Sequence, residues 1–265
     1  MKHLPNLLTL GNLFCGCIAI AYIDTALPYY IFKNNQFGPP SYEWVYGVRQ
    51  MYLGSIFIGL AALFDLLDGW VARALNIHSP IGKDLDSLAD VVSFGVAPSM
   101  ILFQLLWDAQ MADKGMGDVS LIGIAPAFLV ACFAALRLAK YNVTSTQQKA
   151  HFIGMPTPAA GLFIATIPIM MWYSPFGFAV YLKIKWVIYA IIFILCYLMV
   201  SKRQFFKLIP QKFNIRFFWP QLLMVLIGVL STIFLGINCL PVIFITYVVL
   251  SFVYRQPDLS ISVKE

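Results

Sequence analysis

Apolar runs of about 17–25 residues recur along almost the whole chain, each able to cross a hydrocarbon core of roughly 30 Å. They fall near residues 4–24, 50–74, 83–107, 119–141, 157–174, 184–201, 217–236 and 238–254. Backbone polar groups in lipid must be satisfied internally, and runs of this length do so as helices. The expected fold is therefore an all-α, polytopic membrane helix bundle with about eight transmembrane helices. Composition agrees. Of 265 residues, 60% are hydrophobic and 11% are charged, against about 25% charged in a soluble domain. The stretch 1–265 reads as one domain without internal repeats.

Lys and Arg set the orientation of such a chain. With the N-terminus in the cytoplasm, 13 of the 18 fall inside; Lys33, Arg49, Lys114, Lys183 and Lys185 fall outside. An even helix count with both termini inside fits that bias. The net charge of +6 then reflects cytoplasmic loops and anionic headgroups, not nucleic acid. Segment 25–49 reads as an outside loop, and 202–216 as the most basic inside loop. The five cysteines all lie in apolar runs and read as small hydrophobes. Lys2, an apolar stretch and Ala19-Ile20-Ala21 mimic a signal peptide, but Pro5, Asn6, Thr9 and Asn12 interrupt it. His3, His78 and His151 fall at interfaces, out of phase with the acids described next.

Four acids break the apolar pattern. Asp65 and Asp68 end the second run; Asp86 and Asp90 begin the third. Each pair is three or four residues apart, so each helix presents two carboxylates on one face. A charged group at a membrane-helix centre costs about 2.5–3.5 kcal/mol on insertion scales. Four would not persist facing lipid. They predict a cavity just beneath the cytoplasmic surface, with their mutual repulsion offset by bound cations. Hard carboxylate oxygens suit Mg²⁺, Mn²⁺ or Ca²⁺, and four are enough for two ions gripping a pyrophosphate.

Small residues sit beside the acids. Gly69 follows Asp68, Ala72 lies one turn after it, and Gly82 lies one turn before Asp86. Each removes bulk where a base or phosphate would approach the helix. Arg73 adds a cation at the same mouth, suited to a phosphate. Ser79 and Pro80 suit the start of the third helix. On the first helix Asn6, Thr9 and Asn12 form a polar stripe, which either bridges helices or lines the cavity. Arg137 and Lys140 share a face at a cytoplasmic helix end and serve as anchors or as partners for a carboxylate or phosphate.

The eight fixed positions of Asp-x2-Asp-Gly-x2-Ala-Arg-x8-Gly-x3-Asp-x3-Asp are complete from Asp65 to Asp90. This pattern resembles the signature of the CDP-alcohol phosphatidyltransferase family. The resemblance implies a helical membrane enzyme that moves a phosphatidyl group from a CDP-linked lipid to an alcohol and releases CMP. It implies divalent metal, Mg²⁺ or Mn²⁺ as two ions, on Asp65, Asp68, Asp86 and Asp90, with Asp90 as general base. It implies CDP contacts from Gly69, Arg73 and Ser79, and a homodimer.

Four further stretches resemble the serine-accepting branch of that family: Pro5–Asn12, Asp90–Pro98, Leu136–Asn142 and Phe152–Ala160. Lys140 stands where that branch often has Arg, and Met155 where Leu is common. The implied substrates are CDP-diacylglycerol and L-serine, with Arg137, Lys140, Asn142, Asn12 and Thr9 as candidates for serine or phosphate. The cytidine is expected over Gly69 and Ala72, beside Gly82. The resemblance covers residues 4–165; the helices of 175–265 are less specific. The implied setting is an integral membrane protein, taken as bacterial inner membrane, with its site on the cytoplasmic side. The same chemistry with inositol or glycerol phosphate is the nearest alternative, and a divalent-cation transporter the more distant one.

Overall fold

The computed structural model describes residues 4–25, 28–33, 41–46, 50–75, 80–114, 119–144, 152–173, 181–182, 184–205, 215–236 and 239–253. Among the described residues ten helices follow one another: α1 Leu4–Asp24, α2 Met51–Ala74, α3 Pro80–Asp90, α4 Ala97–Lys114, α5 Leu121–Ile124, α6 Leu129–Thr144, α7 Thr157–Tyr173, α8 Lys185–Val200, α9 Ile215–Leu235 and α10 Cys239–Val253. A π-helical turn, Val91–Val96, joins α3 and α4 into one rod. A 3₁₀ turn, Ala125–Phe128, joins α5 and α6. Pro126 lies in that turn, where it removes one backbone donor from the helical ladder.

Four of the resulting spans are long and apolar enough to cross a membrane: Leu4–Asp24, Met51–Ala74, Ile81–Ala112 and Leu121–Val143. Four apolar helices are shorter: Thr157–Trp172, Lys185–Val200, Trp219–Leu235 and Cys239–Val253. The expected all-α bundle is thus nearly, not wholly, helical. Two short antiparallel ribbons accompany it. β1 (Pro28–Lys33) pairs with β2 (Ser41–Tyr46), and β3 (Phe152–Ile153) pairs with β4 (Gln204–Phe205). The first lies within the segment expected as an outside loop. Its runs of Tyr, Phe, Ile, Trp and Val favour extended pairing over irregular loop. The His residues and most of the basic loop 202–216 lie outside the described residues.

The core runs along α1, the α3–α4 rod, α7 and α8. Ala19, Ile23, Phe94, Leu102, Ile164 and Ile192 are fully buried there. Leu7, Leu63, Phe193 and Ile233 are exposed on outer faces, as lipid-facing positions require. Cys15, Cys17, Cys132, Cys196 and Cys239 are all free thiols.

Glycines set the helix spacing around the π turn. Gly16 lies against Ser93, and Gly95 against Ala131 and Ala134. A Cβ on Gly161 would fall 2.9 Å from the Phe94 Cα. Small residues at such contacts are what let membrane helices approach closely. Gly69 differs: a Cβ there would meet nothing within 4 Å. Helix packing therefore does not explain it.

These contacts predict opposite outcomes for two substitutions. Gly161→Ala must push α7 off the π turn and should destabilise by about 1–3 kcal/mol. Gly69→Ala, inside α2 with open space where a Cβ would stand, should stabilise by about 0.5–1 kcal/mol. Melting followed by tryptophan fluorescence in detergent checks both.

Candidate active site at one end of the bundle

Helix ends converge on one side of the molecule: the starts of α1, α3 and α7 and the ends of α2 and α6. Side-chain bonds tie them together. Lys83 Nζ on α3 donates to the Asn142 carbonyl of α6 (3.2 Å), and Asn142 Nδ2 donates to Ser87 Oγ (2.7 Å).

α2 and α3 place their carboxylates in the space between them. Oxygens of Asp65, Asp68 and Asp86 lie within 4.8 Å of one another. Asp65 and Asp86 are half-buried; Asp68 is buried. Oδ1 of Asp86 is buried without a hydrogen-bond partner. An anionic acceptor in that state is costly unless a donor or cation meets it. Three hard oxygens at this spacing, one of them orphaned, fit a divalent ion.

α1 supplies the donors. Thr9 Oγ1 lies 2.7 Å from Asp68 Oδ2 and 3.1 Å from the Pro5 carbonyl. One proton serves two acceptors, and the shorter, charge-assisted bond to the carboxylate dominates. Asn12, fully buried, donates Nδ2 to Asp90 Oδ1 at 3.3 Å. Ser93 in the π turn donates to the Asn12 carbonyl (3.0 Å), which holds α1 against that turn. The stripe expected on α1 therefore bridges helices through the acids themselves. Asn6 is half-buried.

Asp90 is buried, one turn beyond Asp86, and stands outside the trio of clustered oxygens. The π turn begins at the next residue. Such turns inside α-helices recur at functional sites. On α6, Arg137 is buried and Nη1 donates to Thr157 Oγ1 at the start of α7 (3.1 Å). Its guanidinium lies 5.5 Å from the Tyr141 ring centroid.

The remaining expected residues are placed unevenly. Gly69, Ala72 and Gly82 are half-buried beside the acids, and Arg73 is exposed at the end of α2. Ser79 lies outside the described residues. Lys140 is exposed, and Asn142 is engaged with Ser87, so α6 brings Arg137 to the interior and not these two. Thr157 and Ser93 were not singled out in the sequence. The signal for Thr157 is its place between Pro156 and Pro158 at a helix start; Ser93 carried none.

A bundle of apolar helices with three clustered carboxylates at one end defines a membrane protein with a candidate divalent-metal site. Residues 2–233 match the family model described as CDP-alcohol phosphatidyltransferase, and the chain belongs to that family. A protein of Bacillus subtilis named CDP-diacylglycerol–serine O-phosphatidyltransferase is 31% identical over 180 residues, covering 68% of this chain and 82% of the relative. One of the same name from Helicobacter pylori is 34% identical over 161 residues, 60% of this chain and 54% of that one. An archaetidylserine synthase of Methanothermobacter thermautotrophicus is 38% identical over 122 residues, 45% of this chain and 47% of the relative.

Removing one of the clustered carboxylates should be read directly in metal binding. Asp86→Asn should weaken Mn²⁺ binding on the order of tenfold, whereas Asp84→Asn, exposed and outside the trio, should not. Titration of purified protein followed by Mn²⁺ electron paramagnetic resonance checks this.

Proposed function

We propose that the chain is a CDP-diacylglycerol–serine O-phosphatidyltransferase, releasing CMP as phosphatidylserine forms. The observation that carries the reading is the trio Asp65, Asp68 and Asp86, with clustered oxygens within 4.8 Å and a buried Asp90 beside it. The family assignment and the printed names of the relatives support it. The carboxylates gather at one end of the bundle, which suits a catalytic pocket better than a conduit through the membrane.

Asp65, Asp68 and Asp86 would hold Mg²⁺ or Mn²⁺ as two ions, with Asp90 a loose, non-bridging fourth carboxylate whose second oxygen stays free to act as base. Bound metal supplies positive charge for the donor's pyrophosphate and the departing phosphate. The chain's own residues do the rest. Gly69, Ala72 and Gly82 leave room for the cytidine and its phosphates against the helix backbone, and Arg73 and Ser79 meet the phosphates at the mouth. Asp90, held on Oδ1 by Asn12, takes the hydroxyl proton of serine on its other oxygen. The serine oxygen attacks the lipid-side phosphorus. The bond from that phosphorus to the oxygen bridging to CMP breaks, and CMP leaves with the electron pair.

Arg137 is the cation beside Asp90 and takes the serine carboxylate; Thr9 and Asn12 hold the acids in place. Lys140 and Asn142 act at the rim, Lys140 toward headgroup phosphates. The positive-inside bias supports this end facing the cytoplasm; a bacterial inner membrane and a homodimeric working unit belong to the same reading.

CMP release from CDP-diacylglycerol by the purified protein should require L-serine and a divalent ion, and stop in chelator. Release that follows inositol or glycerol phosphate instead would reassign the acceptor. Asp90→Asn should keep Mn²⁺ and donor binding while turnover falls by about 100-fold or more. Unaltered turnover in that variant would remove the base from Asp90.

A further inference from the structure

Arg137 is 7% exposed within a helix long and apolar enough to span a membrane. Among the described residues it is the buried cation near the acids; Arg73, Lys83 and Lys140 are exposed. A guanidinium inside a bundle persists only where its donors and charge are met. Its surroundings therefore define what it can do.

Residues of four elements surround it. From α7, Thr157, with no exposed surface, accepts from Nη1 at 3.1 Å. From α6 itself, the Tyr141 ring lies below the guanidinium, 5.5 Å to the centroid. From α10, Tyr247 lies in electrostatic reach, as does Asp90 of α3. Tyr247 is 5% exposed, and its ring is 5.9 Å from that of Phe205.

Phe205 belongs to β4, which pairs with β3 just before α7. Gly154 follows β3 at φ +78°, and its N–H donates to the Arg203 carbonyl (2.8 Å). Met155 N–H donates to the Leu198 carbonyl (3.0 Å). A side chain at Gly154 would collide with the Met199 carbonyl. This clasp fixes where α7 starts, and so where Thr157 stands. The chain after α8, which carries no part of the acid motif, thus reaches Arg137 through this clasp.

In L-serine two carbons separate the hydroxyl oxygen from the carboxylate carbon. Whatever holds the carboxylate must therefore sit beside the base, and Arg137 is the cation in that position. A planar guanidinium recognises a carboxylate only when its plane is fixed. Anchoring Nη1 on Thr157 fixes that plane.

We propose that Thr157 is a positioning residue that aims Arg137 at the carboxylate of the acceptor amino acid. The inference rests on the serine reading above and deepens it. A phosphate of the lipid donor offers Arg137 the same oxyanion chemistry, so the test separates acceptor from donor.

The test measures KM for L-serine and for CDP-diacylglycerol separately, with kcat at saturating serine, on the purified full chain. Thr157→Val should raise the serine KM about tenfold, with kcat and donor KM within about twofold of the parent. Thr157→Ser, which keeps the acceptor oxygen, should restore the parent KM. Thr157→Ala, which removes the acceptor oxygen without adding bulk, should raise the serine KM to a similar extent. Should Thr157→Val fail to fold, Thr157→Ala decides. Serine KM unchanged in the folded Val or Ala variant overturns the proposal, as does a Thr157→Ser variant that fails to restore the parent KM, or a donor KM that rises in step. A parent protein that releases CMP with inositol or glycerol phosphate but not serine overturns the underlying reading first, and this one with it.

Discussion

Burying carboxylates inside an apolar bundle is the constraint from which the architecture follows. Asp68 and Asp90 are each nearly sealed from solvent, and each accepts from a side chain of α1. Removing such a donor would leave an anion with desolvation unmet. α1 is therefore not a passive outer helix. Its polar stripe is the surface on which the acidic ends of α2 and α3 are assembled, and its remaining faces are free to meet lipid.

The π turn at Val91–Val96 extends that logic into the core. It begins immediately after Asp90, so the rod changes its winding where the last acid leaves it. The contacts around the turn are unusually close. Gly16 from α1 and Gly161 from α7 admit the Ser93 and Phe94 backbone, and Gly95 admits α6. A winding change inside such a sleeve cannot relax without moving three helices. The position of Asp90 is thus set by packing on every side of the turn and not by α3 alone.

Much of this was legible in the sequence. Apolar runs gave the helices close to their observed limits, because lipid leaves the backbone few other choices. The spacing of Asp65, Asp68 and Asp86 gave three clustered carboxylates, because the three- and four-residue periodicity of a helix is independent of context. Asp90 was expected with the other three and stands outside the trio, one turn further along the rod. The π turn that follows it was not legible, because local winding depends on glycine contacts with chain segments far away in sequence. The polar stripe of α1 left two readings open, and only the partners of Thr9 and Asn12 chose between them. Lys140 and Arg137 looked equivalent on one face, yet one is exposed and the other buried. Charge pattern alone does not reveal which of two neighbouring cations a tertiary partner such as Thr157 will draw inward. The ribbon Phe152–Ile153 with Gln204–Phe205 was hidden because its strands lie far apart in sequence, whereas Pro28–Lys33 and Ser41–Tyr46 are near neighbours whose aromatic and β-branched residues carried a strand signal that was read only as loop.

The clasp at Gly154 divides the molecule in an unexpected place. The acid-bearing ends of α2 and α3 take side-chain support from Thr9 and Asn12 of α1 and, through Lys83 and Ser87, from Asn142 of α6. The opening of α7 is held instead from far downstream, by the Leu198 carbonyl in α8 and the Arg203 carbonyl beyond it. A polypeptide ending at Val200 would retain every acidic ligand and the Leu198 bond, but lose the Arg203 carbonyl and the β4 strand. The downstream chain thus bears on the site without contributing a carboxylate to it, through the stretch that leads into Thr157.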